Sequence, residues 1–237
     1  MNRAAPYSGL AAGLAMIFDM DGVLIDSNPL HREAWAAFNR RFGLETTAAM
    51  QERMYGRRND QIIRDFFGDT LTQEEIAARG SSKELIFRDL LASRLEEVLV
   101  PGVREFLEVY NGAPLGLATN AEPDNVDFLL DRATLRRYFR AVLNGHEVSR
   151  PKPHPEVYLL AARLLGVPRA ECVVFEDSAS GVAAGCAAGC TVIATTFSHE
   201  AEHLECANYL LRDLAGVEVS VLPDGEGLCL RFAPLER

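Results

Sequence analysis

The chain has 237 residues, 48% of them apolar and 24% charged. That composition supports a sizeable core and excludes a disordered or fibrous protein. A net charge of −10 argues against a nucleic-acid or anionic-membrane surface. It leaves room for an anionic substrate, because a bound divalent cation reverses the field locally.

Residues 1–13 show no long apolar core and no cleavage-site pattern, so no signal peptide is expected. No apolar stretch reaches membrane-spanning length. The five cysteines (Cys172, Cys186, Cys190, Cys206, Cys229) are odd in number and lack a metal-ribbon spacing, which suits a reduced, cytoplasmic setting. Cys186 and Cys190 lie four apart on an Ala/Gly-rich helix and read as small core residues.

The apolar run 15–18 reads as a buried strand. It leads into Asp19-Met20-Asp21-Gly22-Val23. Side chains two apart on a strand share a face. Both carboxylates therefore converge in the crevice outside the strand's C-terminal edge, where open α/β sheets bind ligands. Gly22 permits a sharp turn directly after them. One carboxylate is then free to act as nucleophile and metal ligand, the other as proton donor and acceptor.

From 29 to 99 the pattern is helical throughout: 29–42, 47–54, 59–67 and a long segment 72–98 with an interruption expected at Gly80. The flanks Asp26-Ser27-Asn28-Pro29 and Val100-Pro101-Gly102 look like hinges. From 114 onward, strands at 115–119, 141–144, 172–176, 191–195 and 209–211 alternate with helical patterns. In 155–165, Val157, Leu160, Ala161 and Leu164 mark an apolar face closed by Gly166. Such alternation implies an α/β fold, a mostly parallel sheet covered on both sides. Residues 217–232 read as a terminal hairpin around Pro223-Asp224-Gly225.

Four strand ends carry chemistry. Asp19 and Asp21 end the first strand. Thr119 offers a hydroxyl to a phosphoryl oxygen, or caps a turn. Lys152 lies just before a helix and could neutralise charge developing in transfer. Glu176-Asp177 could hold a cation, or start the next helix with Ser178. Magnesium prefers oxygen ligands and is commonly held by one or two carboxylates plus substrate phosphate.

Taken together, Asp19-Met20-Asp21-Gly22-Val23, Thr119-Asn120, Lys152-Pro153 and Glu176-Asp177 resemble the haloacid dehalogenase superfamily, in its phosphatase and β-phosphoglucomutase-like branch, over 15–214. The resemblance implies a doubly wound Rossmann-like core (1–27 and 100–237) with an inserted helical cap (28–99). It implies Asp19 as the nucleophile that becomes a phospho-aspartate and Asp21 as the acid/base. Thr119 and Asn120 would bind phosphate, and Lys152 would stabilise the anionic site. Mg2+ would be held by Asp19, the Asp21 backbone carbonyl, Asp177 and Glu176. Residues 26–35, with His31 and Trp35, and 83–88, with Lys83, resemble the cap segments of β-phosphoglucomutase and its sugar-phosphatase relatives. His31 and Lys83 are thus expected on the substrate side.

There are departures. Where mutases grip a distal phosphate with a cap arginine, this chain has Asn59, with Arg57 and Arg58 just before it. Pro123 replaces a core asparagine, and Glu156 stands where an aspartate is usual. These favour a phosphatase of a small phosphorylated metabolite, most simply a sugar phosphate, over a mutase. The sequence favours neither a monomer nor a homodimer. A separate match, His199-Glu200-Ala201-Glu202-His203, fits the zinc-hydrolase pattern H-E-x-x-H, but the added Glu202 and Glu205 mark a solvated segment. A non-catalytic binding protein on the same fold would have lost part of the acidic set, which is intact.

Overall fold

The structure, a computed structural model, describes residues 9–54, 57–109, 114–198, 204–221 and 227–235. In chain order its elements are β1 (Gly9–Gly13), β2 (Ala15–Phe18), α1 (Asn28–Arg40), α2 (Ala48–Glu52), α3 (Asn59–Phe67), α4 (Gln73–Val98), α5 (Val103–Val109), β3 (Leu115–Ala118), α6 (Pro123–Arg132) and β4 (Ala141–Leu143). There follow α7 (Glu156–Leu165), β5 (Cys172–Glu176), α8 (Ala179–Ala188), β6 (Thr191–Thr195), β7 (Tyr209–Leu211), β8 (Glu218–Val221) and β9 (Leu228–Phe232).

Six strands form one sheet in the order β4-β3-β2-β5-β6-β7, with every pairing parallel. Strands buried on both faces need continuous apolar runs, and β2 and β5 supply them. Met16, Phe18, Val173 and Phe175 pack on one face with residues of α5 and α6. Ala15, Ile17, Cys172 and Val174 pack on the other with Val157 and Ala161 of α7 and Val182 of α8. This is a doubly wound, Rossmann-like core. The central place of β2, between β3 and β5, puts Asp19 in the middle of the crevice at the strand ends.

Helices α1 to α4 all lie between β2 and α5. Away from the sheet they have a small core of their own, built from Trp35, Phe38, Met54, Ile62, Ile63 and Ile76. Nearer the sheet, Leu30, Ala34, Phe87 and Leu91 merge with the main core. The two connecting segments run side by side: the Asp26 amide donates to the Val98 carbonyl at 2.6 Å and the Val100 amide to the Leu24 carbonyl at 3.0 Å.

Three expectations need correction. The long cap helix is not interrupted at Gly80. It opens with a capping box at Thr72 and Glu75 and departs from helical geometry at Arg94 instead. Gly80 is buried against α3, and a Cβ there would make an ordinary contact, 3.5 Å from the Asn59 Cβ. The buried face of α7 is Val157, Tyr158, Ala161, Ala162 and Leu165, while Leu164 is 52% exposed. The helix carries apolar residues nearly all round, so spacing alone did not fix its face. Finally, β8 and β9 do pair as a hairpin, but β1 joins them, antiparallel to β9, in a second sheet that the sequence did not announce. The residues joining β8 to β9 lie outside those described.

Candidate active site

At the C-terminal edge of the sheet the backbone fixes the carboxylates. The Asp19 amide donates to the Phe175 carbonyl at 2.9 Å, and Gly22 turns back onto the Ile25 carbonyl at 2.6 Å. Gly22 has φ +81, and a Cβ on it would lie 1.7 Å from Asp177 Oδ2. The turn thus brings the backbone after Asp21 against the Asp177 carboxylate. Thr195 reinforces this, its hydroxyl lying 3.3 Å from the Gly22 and Glu176 carbonyls.

Lys152 is the hub. Its Nζ donates to Asp19 Oδ1 at 2.6 Å, Glu176 Oε1 at 2.6 Å and the Ala118 carbonyl at 2.9 Å. Burial would lower its pKa, but Asp19 and Glu176 hold it well above the usual lysine range. The two carboxylates share this cation unequally. Glu176 Oε1 also accepts from the Tyr158 hydroxyl at 2.7 Å, and Oε2 accepts from the Asp177 and Ser178 amides and the Ser178 hydroxyl. Burial opposes the charge on Glu176, but Lys152 and these donors bring its pKa down. Asp19 has less help. Burial, with the charges of Glu176 and Asp21, outweighs Lys152 and raises it to about 7. Asp177 is raised well above the ordinary value by burial and by Glu176, Asp19 and Asp21.

One oxygen from each of Asp19, Glu176 and Asp177 falls within 4.8 Å of the others. The set is all oxygen, and burial together with mutual repulsion holds two of its carboxyls up, so a hard divalent cation fits it. Glu176 already accepts five hydrogen bonds, which leaves Asp19 and Asp177 as the more available donors.

Asp21 faces the helical insert. His31 Nε2 lies 3.7 Å from Asp21 Oδ1. Burial would raise the Asp21 pKa, but the His31 ring nitrogen facing it and the Ser27 side chain bring it below the ordinary value. Lys83 Nζ is 2.7 Å from His31 Nδ1. An ammonium can only donate, so Nδ1 accepts and the ring proton sits on Nε2, toward Asp21. The His31 ring also stacks on Phe87, centroids 3.9 Å apart.

The cleft is lined by Asp19, Asp21, His31, Arg57, Arg58, Lys83, Thr119, Asn120, Lys152 and Asp177 among others, so it gathers the residues expected from sequence except the fully buried Glu176, which stands behind Lys152. Thr119 accepts from the Ala121 amide at 3.1 Å, and Asn120 Oδ1 accepts from the Lys152 amide at 3.2 Å. Both shape the turn that faces the cleft. Arg57 and Arg58 stand at its wall but are engaged, Arg57 with Asp65 at 2.6 Å and Arg58 with Asp60 at 3.5 Å. The sequence reading missed Tyr158, whose ring also lies 5.0 Å from the Lys152 ammonium, and missed Glu84 and Asn125 in the cleft wall, where Asn59, expected only as the replacement of a cap arginine, also stands. A tyrosine on a helix that follows the lysine was the available signal for the first. The His199–His203 match lies outside the described residues, and the cysteines among them are all free.

A family model for haloacid dehalogenase-like hydrolases matches residues 14–189. The chain belongs to that family. It is 36% identical over 176 residues to a phosphorylated carbohydrates phosphatase of Thermotoga maritima, covering 72% of this chain and 79% of that protein. It is 31% identical over 179 residues to a fructose-1-phosphate phosphatase of Escherichia coli, covering 75% and 90%. The crystal structure of β-phosphoglucomutase from Clostridium difficile superposes with a TM-score of 0.76 at 22% identity, over 85% of this chain and 91% of that one. That last likeness is one of fold. No described helix is long and apolar enough to cross a membrane.

Proposed function

We propose that this hydrolase is a magnesium-dependent phosphatase of a small phosphorylated metabolite, a sugar phosphate in the first instance, working through a phospho-aspartate on Asp19. The observation that carries the reading is the Lys152 ammonium held 2.6 Å from both Asp19 and Glu176, with Asp177 beside them and Asp21 under His31. The phosphatase relatives support the substrate class.

Asp19 attacks phosphorus in line, and the bond from phosphorus to the substrate's ester oxygen breaks. Asp21 protonates that oxygen as it leaves. A water then attacks the acyl phosphate, Asp21 takes its proton, and Asp19 and inorganic phosphate are released. As found, with its pKa lowered, Asp21 favours the base role. A phosphate dianion beside it favours the protonated form and so the acid role. Lys152 offsets the charge on the equatorial oxygens, Glu176 holds Lys152, and Thr119 and Asn120 bind the phosphoryl group. Mg2+, held by Asp19, Asp177 and the Asp21 carbonyl, with Glu176 adding charge, would supply the remaining positive field. Residues 28–99 act as a cap that closes over the cleft to exclude water, on a core of 1–27 and 100–237. The partners in this reading are small metabolites, with no nucleic acid and no membrane, and the setting is cytoplasmic.

A mutase must hold a distal phosphate with a cap cation. Arg57 and Arg58 line the cleft, but each already has a carboxylate neighbour, and Asn59 donates to Glu84. Assay of a panel of phosphorylated metabolites with magnesium tests the choice. Net phosphate release from sugar monophosphates is expected, silenced by EDTA and restored by magnesium, with little interconversion of β-glucose 1-phosphate and glucose 6-phosphate even with a bisphosphate primer. Efficient interconversion without phosphate release, lost on Arg57→Ala or Arg58→Ala, would overturn it. Activity restored by zinc alone and lost on Glu200→Gln would point to His199 and His203.

A further inference from the structure

Across the cleft from the strand ends runs a buried polar chain that the chemistry above does not use. Asn59, Glu84 and Asn125 are 8%, 4% and 2% exposed. Glu84 Oε1 accepts from Asn59 Nδ2 at 2.7 Å and from Lys83 Nζ at 2.9 Å, while Oε2 accepts from Asn125 Nδ2 at 2.7 Å. Asn125 Oδ1 in turn accepts from Arg88 Nη1 at 2.9 Å, and Arg88 Nη2 stands 3.6 Å from Asp124 Oδ2. Glu84 and Arg88 belong to α4, in the helical insert. Asp124 and Asn125 belong to α6, which packs on the sheet. The Glu84–Asn125 bond therefore joins the two bodies far along the chain from the paired connectors at Leu24–Asp26 and Val98–Val100.

A carboxylate this deeply buried is tolerable only when its oxygens find donors. The Asn125 amide supplies one of them only while the insert lies against the core. If the insert swings away about the connectors, both groups meet water, and the bond's free energy is returned. Its net stabilisation is thus assigned to the closed arrangement alone. The same carboxylate holds Lys83, which holds His31, which faces Asp21.

We propose that Asn125 is a positioning residue. By donating to Glu84 across the boundary it keeps the cap closed, and with it Lys83 and His31 over Asp21. The kinetic part of this proposal rests on the phosphatase reading. The conformational part does not.

The test uses the intact chain and two readouts. Trp35 is the only tryptophan. It lines the cleft, is 1% exposed, and lies with its ring 5.3 Å from the Lys83 ammonium. Acrylamide quenching of its fluorescence reports cap opening without any substrate. Asn125→Leu removes the donor at similar volume, and the quenching constant should rise at least about twofold. Hydrolysis of p-nitrophenyl phosphate should lose about 10- to 100-fold in kcat/KM, the range of one hydrogen bond to a charged group. The melting temperature should stay within a few degrees of wild type. The double variant Glu84→Gln/Asn125→Asp conserves total charge and reverses donor and acceptor. It should quench less and turn over faster than either single change. Wild-type quenching in Asn125→Leu would overturn the proposal. So would a double variant no better than its worse single, or a loss of activity that merely follows a collapse in melting temperature. If wild type hydrolyses no phosphate monoester, the phosphatase reading fails and the quenching arm still decides the clasp.

Discussion

Asp19→Asn should make the metal-free protein more stable while abolishing turnover. The wild-type carboxyl is raised from 3.8 to about 7 by burial, then by Glu176 and Asp21 against Lys152. A carboxyl whose folded pKa exceeds its unfolded one opposes folding once ionised. The penalty is absent below pH 3.8, grows between 3.8 and about 7, and is complete above. At 1.36 kcal/mol per pH unit the ceiling is roughly 4 kcal/mol. Asparagine carries no charge and keeps an oxygen for Lys152, at some loss of bond strength, leaving a gain of about 1–3 kcal/mol. For a chain of this size that raises the melting temperature by about 2–12 °C at pH 8. Near pH 4 the gap should vanish. Thermal melts by circular dichroism in EDTA at pH 4, 6 and 8 measure it. Magnesium should then raise the wild-type melt and narrow the gap, since the variant has lost an anionic ligand. A variant less stable than wild type at pH 8, or a gap that ignores pH, would refute the electrostatic account of this site. Near-wild-type turnover would end the covalent mechanism.

Asp21→Asn should lower turnover by roughly 10²-fold or more while KM and the magnesium requirement change little; an equal loss of substrate binding would contradict an acid/base role. Lys152→Met leaves Asp19 and Glu176 buried without their common cation, which should destabilise the metal-free protein by about 3–5 kcal/mol as well as suppress catalysis. An unchanged denaturant midpoint would show that the ammonium is not the hub. Gly22→Ala forces a side chain into the space held by Asp177, at a positive φ. A magnesium titration of activity should show a higher half-saturation, and a wild-type curve would mean that Asp177 is not confined by that turn.

Much of this was legible in the chain. The sheet strands from β3 onward lie where short apolar runs alternate with helical stretches, because buried parallel strands must be apolar on both faces. The carboxylates and Thr119-Asn120 were legible for a related reason: they sit immediately after those runs, where β2, β3 and β5 end side by side, whereas Lys152 comes from the loop between β4 and α7. What escaped were features fixed by three-dimensional packing. Tyr158 reaches Glu176 because α7 rolls its 157/158/161/162/165 face inward, and a helix apolar on most sides does not declare its roll. Glu84 is one of many glutamates in a charged helix, and nothing local marks it as the one that meets Asn125. The Gly80 break was expected from propensity, yet α4 runs through it, capped at Thr72 and packed along its length on α1 and α3. Strand β1 becomes a strand only by pairing with β9, more than two hundred residues away.

The strand order has a consequence for synthesis. Strand β2, which carries Asp19 at its end, is made near the start, but its neighbours β3 and β5 follow about 100 and 155 residues later, and β1 waits for β9 at the other end. Long-range parallel pairing is slow, because loop closure must precede the contacts that reward it. A nascent chain would therefore carry an apolar Ala15–Phe18 with no sheet to join while the helical insert, with its own cluster around Trp35, Phe38 and Ile63, is already complete. The helical wall of the cleft can take shape before the sheet that forms its floor, and the emerging strand is the segment on which a chaperone would act during translation.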